Sequence, residues 1–311
     1  MIIQKNFFKL FFFLCFSSLS AQEVVIVNST TKEEIPYVAI QYTKNIGVYT
    51  NNRGRFHLLK SKSEHIKIYH IGYNDTIIKC SLVRDTIFFK KKIEILDEIK
   101  IFSGKSKEKL IGYNKKRVSL FWSLKEKTEL ATLIKYKKNK RRTIIKKILI
   151  PINKRHLRSN KGKVIESYPN FSSIFRFNIY SNEEGKPGIK LLNKPLIIEC
   201  NQNSPNILEI DISKDIINLP KEGVFVGIEM IGMLDVKGEI LLSDKNEMIL
   251  PTFKFTDKKK NNISSTTYIK TTFNGNKWKN TKEYNGKVKH LSNYNMALSL
   301  LIKIYKNSVI S

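Results

Sequence analysis

Short apolar runs broken by polar turns set the pattern from Glu23 onward. Val24-Val25-Ile26-Val27 stops at Asn28-Ser29-Thr30-Thr31, and Ile35-Pro36-Tyr37-Val38-Ala39-Ile40-Gln41-Tyr42 alternates from Tyr37. Ile46-Gly47-Val48-Tyr49-Thr50 leads into the turn Asn51-Asn52-Arg53-Gly54, after which Arg55-Phe56-His57-Leu58-Leu59 continues. Ile66-Lys67-Ile68-Tyr69-His70-Ile71 alternates until Gly72, and Thr76 to Cys80 and Thr86 to Phe89 complete the set. Strand-length runs with a turn signal about every ten residues predict an all-β sandwich.

The same pattern resumes from Val118. It predicts strands over 129–134, 144–150, 174–180, 195–200, 207–212 and 223–229, with later ones at 253–255, 267–270 and 298–304. In Ile174-Phe175-Arg176-Phe177-Asn178-Ile179-Tyr180, the polar residues at every second position predict one face in the core and one in solvent. Asn182-Glu183-Glu184-Gly185-Lys186-Pro187-Gly188 reads as a long turn. Residues 118–311 are thus expected to form a larger antiparallel sandwich of jelly-roll-like build. The polar stretch 103–117, opening on Ser103-Gly104-Lys105-Ser106-Lys107, reads as the linker.

Four motifs in the first region carry a family resemblance. They are Ile35-Pro36-Tyr37-Val38-Ala39-Ile40, Gly47-Val48-Tyr49-Thr50-Asn51-Asn52-Arg53-Gly54-Arg55-Phe56, Ile71-Gly72-Tyr73 and Leu96-Asp97-Glu98-Ile99-Lys100-Ile101. In that order they resemble the carboxypeptidase-like regulatory domain, a transthyretin-like β-sandwich common in envelope proteins of Bacteroidetes. The resemblance covers residues 23–101, within a domain bounded at 22–102. It lacks the glycine usually seen before the first strand. It implies an accessory, non-catalytic domain with Tyr73 in a structural role. The pieces 175–180, 185–188 and 223–229 are similar to uncharacterised domains found behind that module, and they imply no activity.

Ahead of this domain, residues 1–21 have the order of a secretory leader. Lys5 and Lys9 come first, then an apolar run from Leu10 to Phe16, then small residues up to Ala21. The run is too short to span a bilayer, which takes about 20 residues. Cys15 follows Leu14 and is read as filler of the apolar run rather than as a lipidation site. No later stretch is long and apolar enough to span as a helix, so the mature chain is expected in the periplasm or at the cell surface, without a transmembrane helix.

Charge then narrows the partners. The chain carries +29, or +27 once Lys5 and Lys9 leave with the leader. The densest run spans Lys135 to Lys147, with Lys135, Lys137, Lys138, Lys140, Arg141 and Arg142 as a candidate basic patch. Such a field favours anionic partners in a salt-dependent way. Export argues against nucleic acid, and a lysine-, isoleucine- and asparagine-rich composition gives charge without a dedicated ligand.

Recognisable catalytic motifs do not occur. There is no P-loop, GxGxxG, GxSxG or HExxH. A zinc carboxypeptidase needs a carboxylate three residues after a histidine. Here Lys60, Ile68, Tyr73, Ser159 and Asn293 stand at those positions. No cofactor or metal is implied. With Cys15 removed, Cys80 and Cys200 are left in apolar runs, where two buried free thiols are expected in preference to a bridge between them. Asp211 with Asp215, or Glu229 with Asp235 and Glu239, are the candidate carboxylate pairs for glycoside hydrolysis.

Trp278 remains. It stands in the polar, turn-rich Asn274-Gly275-Asn276-Lys277-Trp278-Lys279, where an indole can stack on a sugar while Asn276 and Lys277 bond hydroxyls. Against this stands the plainer expectation that Trp278 opens a strand and packs inward. The leading expectation is a non-catalytic envelope protein that binds a glycan or another envelope protein. A carbohydrate-active enzyme and an anion-binding protein, for lipopolysaccharide or nucleic acid, are the alternatives.

Overall fold

The computed structural model describes residues 22–92, 105–113, 120–137, 141–160, 163–241, 249–257, 259–260, 263–275, 277–284 and 294–309. The leader expected at 1–21 and the motif at 96–101 lie outside them. The chain divides into two compact units, with the boundary between Lys92 and Ile93. Among the described residues no helix is long and apolar enough to cross a membrane.

The first unit has strands β1 (Gln22–Asn28), β2 (Ala39–Thr43), β3 (Ile46–Tyr49), β4 (Arg55–Leu58), β5 (His65–Tyr69), β6 (Thr76–Lys79) and β7 (Thr86–Phe89). They form a three-stranded sheet ordered β4-β1-β7 and a four-stranded sheet ordered β3-β2-β5-β6. Alternation puts Val24, Ile26, Ile40, Phe56, Ile66, Ile68 and Phe89 into one core between them. The predicted turn at 51–54 forms as read. The Asn51 side chain accepts from the Arg53 and Arg55 amides at 2.9 and 3.0 Å. Gly54 has φ +68°, and a Cβ there would lie 2.8 Å from the Ile26 carbonyl oxygen, so only glycine fits. One expectation shifts: β2 begins at Ala39 rather than near Ile35, because Tyr37 takes φ +55° after Pro36. Tyr73 is structural in this unit, stacking on Phe89 with centroids 5.0 Å apart.

The second unit begins with β8 (Ser106–Tyr113), β9 (Leu120–Ser123), β10 (Thr128–Tyr136), β11 (Arg141–Asn153), β12 (His156–Asn160), β13 (Lys163–Ser167), β14 (Ser172–Glu183), β15 (Lys186–Lys190) and β16 (Leu196–Asn201). It continues with β17 (Ile207–Asp211), β18 (Val224–Leu234), β19 (Ile240–Leu241), β20 (Thr252–Thr256), β21 (Lys259–Lys260), β22 (Ile263–Ser264) and β23 (Thr267–Thr271). Strand β24 (Lys279–Asn280), a single helical turn α1 (Thr281–Tyr284), β25 (Asn295–Met296) and β26 (Ser299–Val309) close it. Among the described residues, a nine-stranded sheet runs β15-β14-β18-β10-β23-β24, with β16, β19 and β22 also pairing on β14, β18 and β10, and an eight-stranded one runs β21-β8-β26-β11-β20-β25, with β17 and β9 also pairing on β11 and β20. The chain crosses between them repeatedly, with β10 in one, β11 in the other, β14 back again and β17 across, which gives an antiparallel sandwich. Phe175, Phe177, Val226 and Ile228 of the first sheet share one core with Ile145, Ile148, Phe253 and Leu300 of the second. Phe175 meets Phe253 edge to face at 5.4 Å.

Two sequence expectations change here. The linker at 103–117 contains strand β8, which pairs with β26 from Ser106↔Tyr305 to Gly112↔Ser299. Its hydrophobic signal is weak because Ile111 is its one buried apolar side chain, and main-chain bonding to β26 holds it in place. The long turn at 182–188 is a two-residue hairpin: Glu183 pairs with Lys186, and Glu184 and Gly185 take φ +49° and +84°. Two positive-φ residues are what such a tight turn requires of its strands' twist. Cys80 and Cys200 are free and buried, as expected.

Candidate functional site

The site lies on the face of the nine-stranded sheet that turns away from the shared core. Strand β18 is buried on both faces over Val224–Met230, and β14 and β10 are buried on both faces along most of their length. A doubly buried sheet normally reads as a near-continuous apolar run. Here it carries charge. The register pairs Arg176 with Glu229, Glu229 with Glu129, and Glu129 with Lys270. Four charged residues therefore stand in one line across β14, β18, β10 and β23.

Two like charges on facing strands repel, and each carboxylate is satisfied by its outer neighbour. Arg176 Nη1 lies 3.1 Å from Glu229 Oε2, and Lys270 Nζ lies 3.0 Å from Glu129 Oε2. Exposure of the four side chains is between 2% and 7%. Thr272 adds a hydroxyl at 2.7 Å to Glu229 Oε1. Glu129 Oε1 also accepts from Asn178 Nδ2 at 2.8 Å and from the Tyr180 hydroxyl at 2.7 Å. Buried ions need this degree of pairing, since an unpaired one costs several kcal/mol.

Gly227 makes the arrangement possible. It sits between Asn178 and Ala131 in the next row of the sheet. A Cβ there would stand 2.4 Å from Glu129 Oε1 and 2.9 Å from Tyr180 Cε2. The missing side chain is the space through which Tyr180 reaches the carboxylate. Burial, then the Glu129 charge, pushes the Tyr180 phenol well above its ordinary value, so the phenol stays protonated as a donor.

At the rim, Trp278 packs edge to face on Tyr180 at 5.6 Å, and the Lys270 ammonium lies 4.4 Å from its ring centroid. Trp278 is half-buried, and it extends a small apolar cluster of Ala131, Leu133, Tyr180 and Phe225. Lys190 on β15 is paired in register with Tyr180, so the two share this face. Lys190 is an exposed residue whose ammonium is crowded by the groups beneath it. That desolvation pushes it down to about 8, with Glu129 pulling it up and Lys270 pushing it further down.

The other sequence candidates are dispersed. Lys277 is exposed beside Trp278, and Asn276 lies outside the described residues. In the basic run, Lys135, Lys137 and Arg141 are exposed and Arg142 is half-buried, while Lys138 and Lys140 lie outside the described residues. Lys135 lies near the end of β10 in one sheet and Arg141 opens β11 in the other, so the run is divided between the two sheets. Lys147 is held by Glu209.

Asp211 is exposed and accepts from the Ser213 amide at 2.8 Å, and Asp215 pairs with Lys194 at 3.7 Å. Asp235 caps the turn to Glu239, accepting from the Lys237 and Glu239 amides. From Glu229 to Asp235 is about 20 Å along a strand, beyond the 5–10 Å or so of a glycosidase pair. Arg176 and Asn178, expected to face solvent, are buried at 3% and 1% exposure. Sequence reasoning missed Glu129, Lys270 and the pairing role of Arg176. The available signal was the apolar character of β18 on both faces. It requires charges on neighbouring strands to find partners. Among the described residues no three or more His, Cys, Asp or Glu side chains are grouped to hold a metal.

No family model and no curated protein matches the chain. Solved structures similar to the chain include two of one clostridial protein. One contains the cysteine protease and lectin-like domains of Cwp84, a surface-layer-associated protein of Clostridium difficile; identity is 10%, TM-score 0.33, and 58% of this chain covers 33% of that one. The other is the clostridial cysteine protease Cwp84 after propeptide cleavage, at 10% identity and TM-score 0.36, with 92% of this chain covering 71% of that one. At these values the likeness carries no argument.

Proposed function

We propose that this is an exported, non-catalytic envelope protein: a carboxypeptidase-like regulatory sandwich followed by a second sandwich that holds a glycan, with an envelope protein as the other partner of that class. The observation that supports a binding role is the saturation of the two central carboxylates. Glu129 accepts from Lys270, Tyr180 and Asn178, and Glu229 accepts from Arg176 and Thr272. Carboxylates so occupied hold a surface in shape; acid–base catalysis needs a group that can exchange its proton with substrate. The half-exposed Trp278 above them offers the aromatic surface on which sugar rings pack.

The test is binding of the mature protein to a panel of neutral and acidic envelope polysaccharides at low and physiological salt, alongside Trp278→Ala. Salt-resistant binding that drops about tenfold in the variant is expected. Hydrolysis of any member would move the protein to the carbohydrate-active enzymes. A second reading has one observation in its favour, the exposed Lys135, Lys137 and Arg141 of the basic run. Binding that vanishes with salt and ignores Trp278→Ala would select it.

A further inference from the structure

We propose that Lys190 is an anion anchor, and that the sugar this face takes is acidic: the Lys190 ammonium receives a carboxylate while the sugar ring rests against Trp278. This rests on the glycan-binding role above and adds the ligand's charge and the residue that reads it.

Charge counting leads there. In the row, Arg176 neutralises Glu229 and Lys270 neutralises Glu129. Lys190 is then left over, a third cation above two satisfied pairs. Its side chain makes no hydrogen bond or ion pair among the described residues. Among the charged groups that act on Lys190, the two carboxylates are matched by Arg176 and Lys270, so the Lys190 ammonium is the excess charge, which suits a carboxylate such as that of a uronate.

The groups facing that ammonium come from every strand beneath it: Tyr180 and Arg176 on β14, Glu229 on β18, Glu129 on β10 and Lys270 on β23. All but Lys190 are committed to one another. A second observation is Asn178 Oδ1, which is buried and has no hydrogen-bond partner among the described residues, although its amide nitrogen is spent on Glu129. An unsatisfied buried acceptor costs about 1–3 kcal/mol. A donor reaching this face, such as a sugar hydroxyl, would recover it. Trp278 supplies the apolar side of the same site, one of its faces taken by Lys270 and part of the residue open.

The depressed ammonium gives the proposal a signature. An anion placed on Lys190 favours the charged form and raises it again, so binding takes up a proton when the pH stands above about 8. Affinity for an acidic sugar should hold below that pH and fall as pH rises through it, by roughly threefold to tenfold between about pH 7 and about pH 9.

The experiment is calorimetric titration of the full mature chain with an oligogalacturonate and with its methyl ester, which keeps the ring and removes the charge. The acid should bind and the ester should bind about tenfold more weakly. Lys190→Gln should bring the acid down to the ester's affinity. Lys190→Arg should keep binding and lose the fall across pH 8, because a guanidinium does not titrate there. Lys44→Gln, in the exposed β2–β3 turn, removes the same charge elsewhere and should change nothing. Equal affinity for acid and ester, lost in Trp278→Ala, would overturn the Lys190 proposal and leave glycan binding standing. No binding of either would overturn both. Acid binding that Lys190→Gln and Lys44→Gln weaken alike would assign it to the general basic charge and overturn the proposal.

Discussion

The two sandwiches build the same bond in opposite surroundings. In the first, Arg55 lies 3.0 Å from Glu23 and 3.4 Å from Glu34, with all three side chains between 41% and 51% exposed. In the second, Arg176–Glu229 and Lys270–Glu129 have nearly the same separations at exposures of 2–7%. Distance does not distinguish them; solvent does. In water the charges of a pair are already well solvated, and holding two long side chains together costs entropy. In the interior each charge depends on the other, because neither has water to fall back on. The outer face of the first unit can lose a charge with little consequence, and the buried face of the second cannot.

The comparison breaks most visibly at Glu129. Glu129→Ala removes the carboxylate that balances the buried Lys270 ammonium and takes the acceptor from Tyr180 and Asn178, so a loss of about 3–5 kcal/mol is expected. Denaturant midpoints at constant slope would measure it. A double variant, Glu129→Met with Lys270→Met, should cost less than the two single changes together, since it removes both charges of the pair. Strict additivity would mean that the two residues do not act as a pair.

Gly227→Ala comes next, at about 1–3 kcal/mol for forcing a methyl group into a filled space. The clash is with the Glu129 carboxylate and the Tyr180 ring. The penalty should therefore shrink when Glu129 is already alanine. A full penalty in that background would place the strain elsewhere.

Alkaline pH sharpens the same contrast. Burial raises the phenols of Tyr42 in the first unit and Tyr180 in the second, and Tyr180 is raised the further, with Glu129 adding to its shift. A phenol raised on folding gives stability that is complete below its unfolded value of about 10 and is lost as pH climbs from there toward the folded value. The second unit should lose stability above pH 10 more steeply than the first. Tyr180→Phe should flatten that slope while lowering stability at neutral pH by about 1 kcal/mol for the lost hydrogen bond.

How much of this was legible in the sequence follows from what each feature depends on. Strands in both units showed through because alternation is local: Val24 and Ile26, or Phe175 and Phe177, declare an inward face without reference to any partner. Strand β8 did not, because its pairing with β26 joins residues nearly 200 positions apart and needs only one buried side chain of its own. The charged row was hidden for a related reason. Arg176, Glu229, Glu129 and Lys270 look like four separate solvated residues until register aligns them. Alternation reports that a side chain faces away from the core. It does not report whether water or more protein lies there. Trp278 was found because a tryptophan in a polar turn is conspicuous. Lys190 was not, since it is one of many lysines and its distinction is its neighbours.

The smallest effect closes the comparison, at the pair that resembles the buried one in distance. Glu23→Ala removes one of the two carboxylates beside Arg55, which keeps Glu34 and remains in contact with water. The guanidinium is held above its ordinary value by hydrogen bonding to Glu23 and then by that carboxylate's charge. It is exposed enough that solvent replaces what is lost. The denaturant midpoint of the first unit should move no further than the scatter between repeats, and high salt should erase any difference that remains. A loss comparable to that of Glu129→Ala would mean that exposure does not set the worth of these pairs, and the contrast drawn between the two sandwiches would fail.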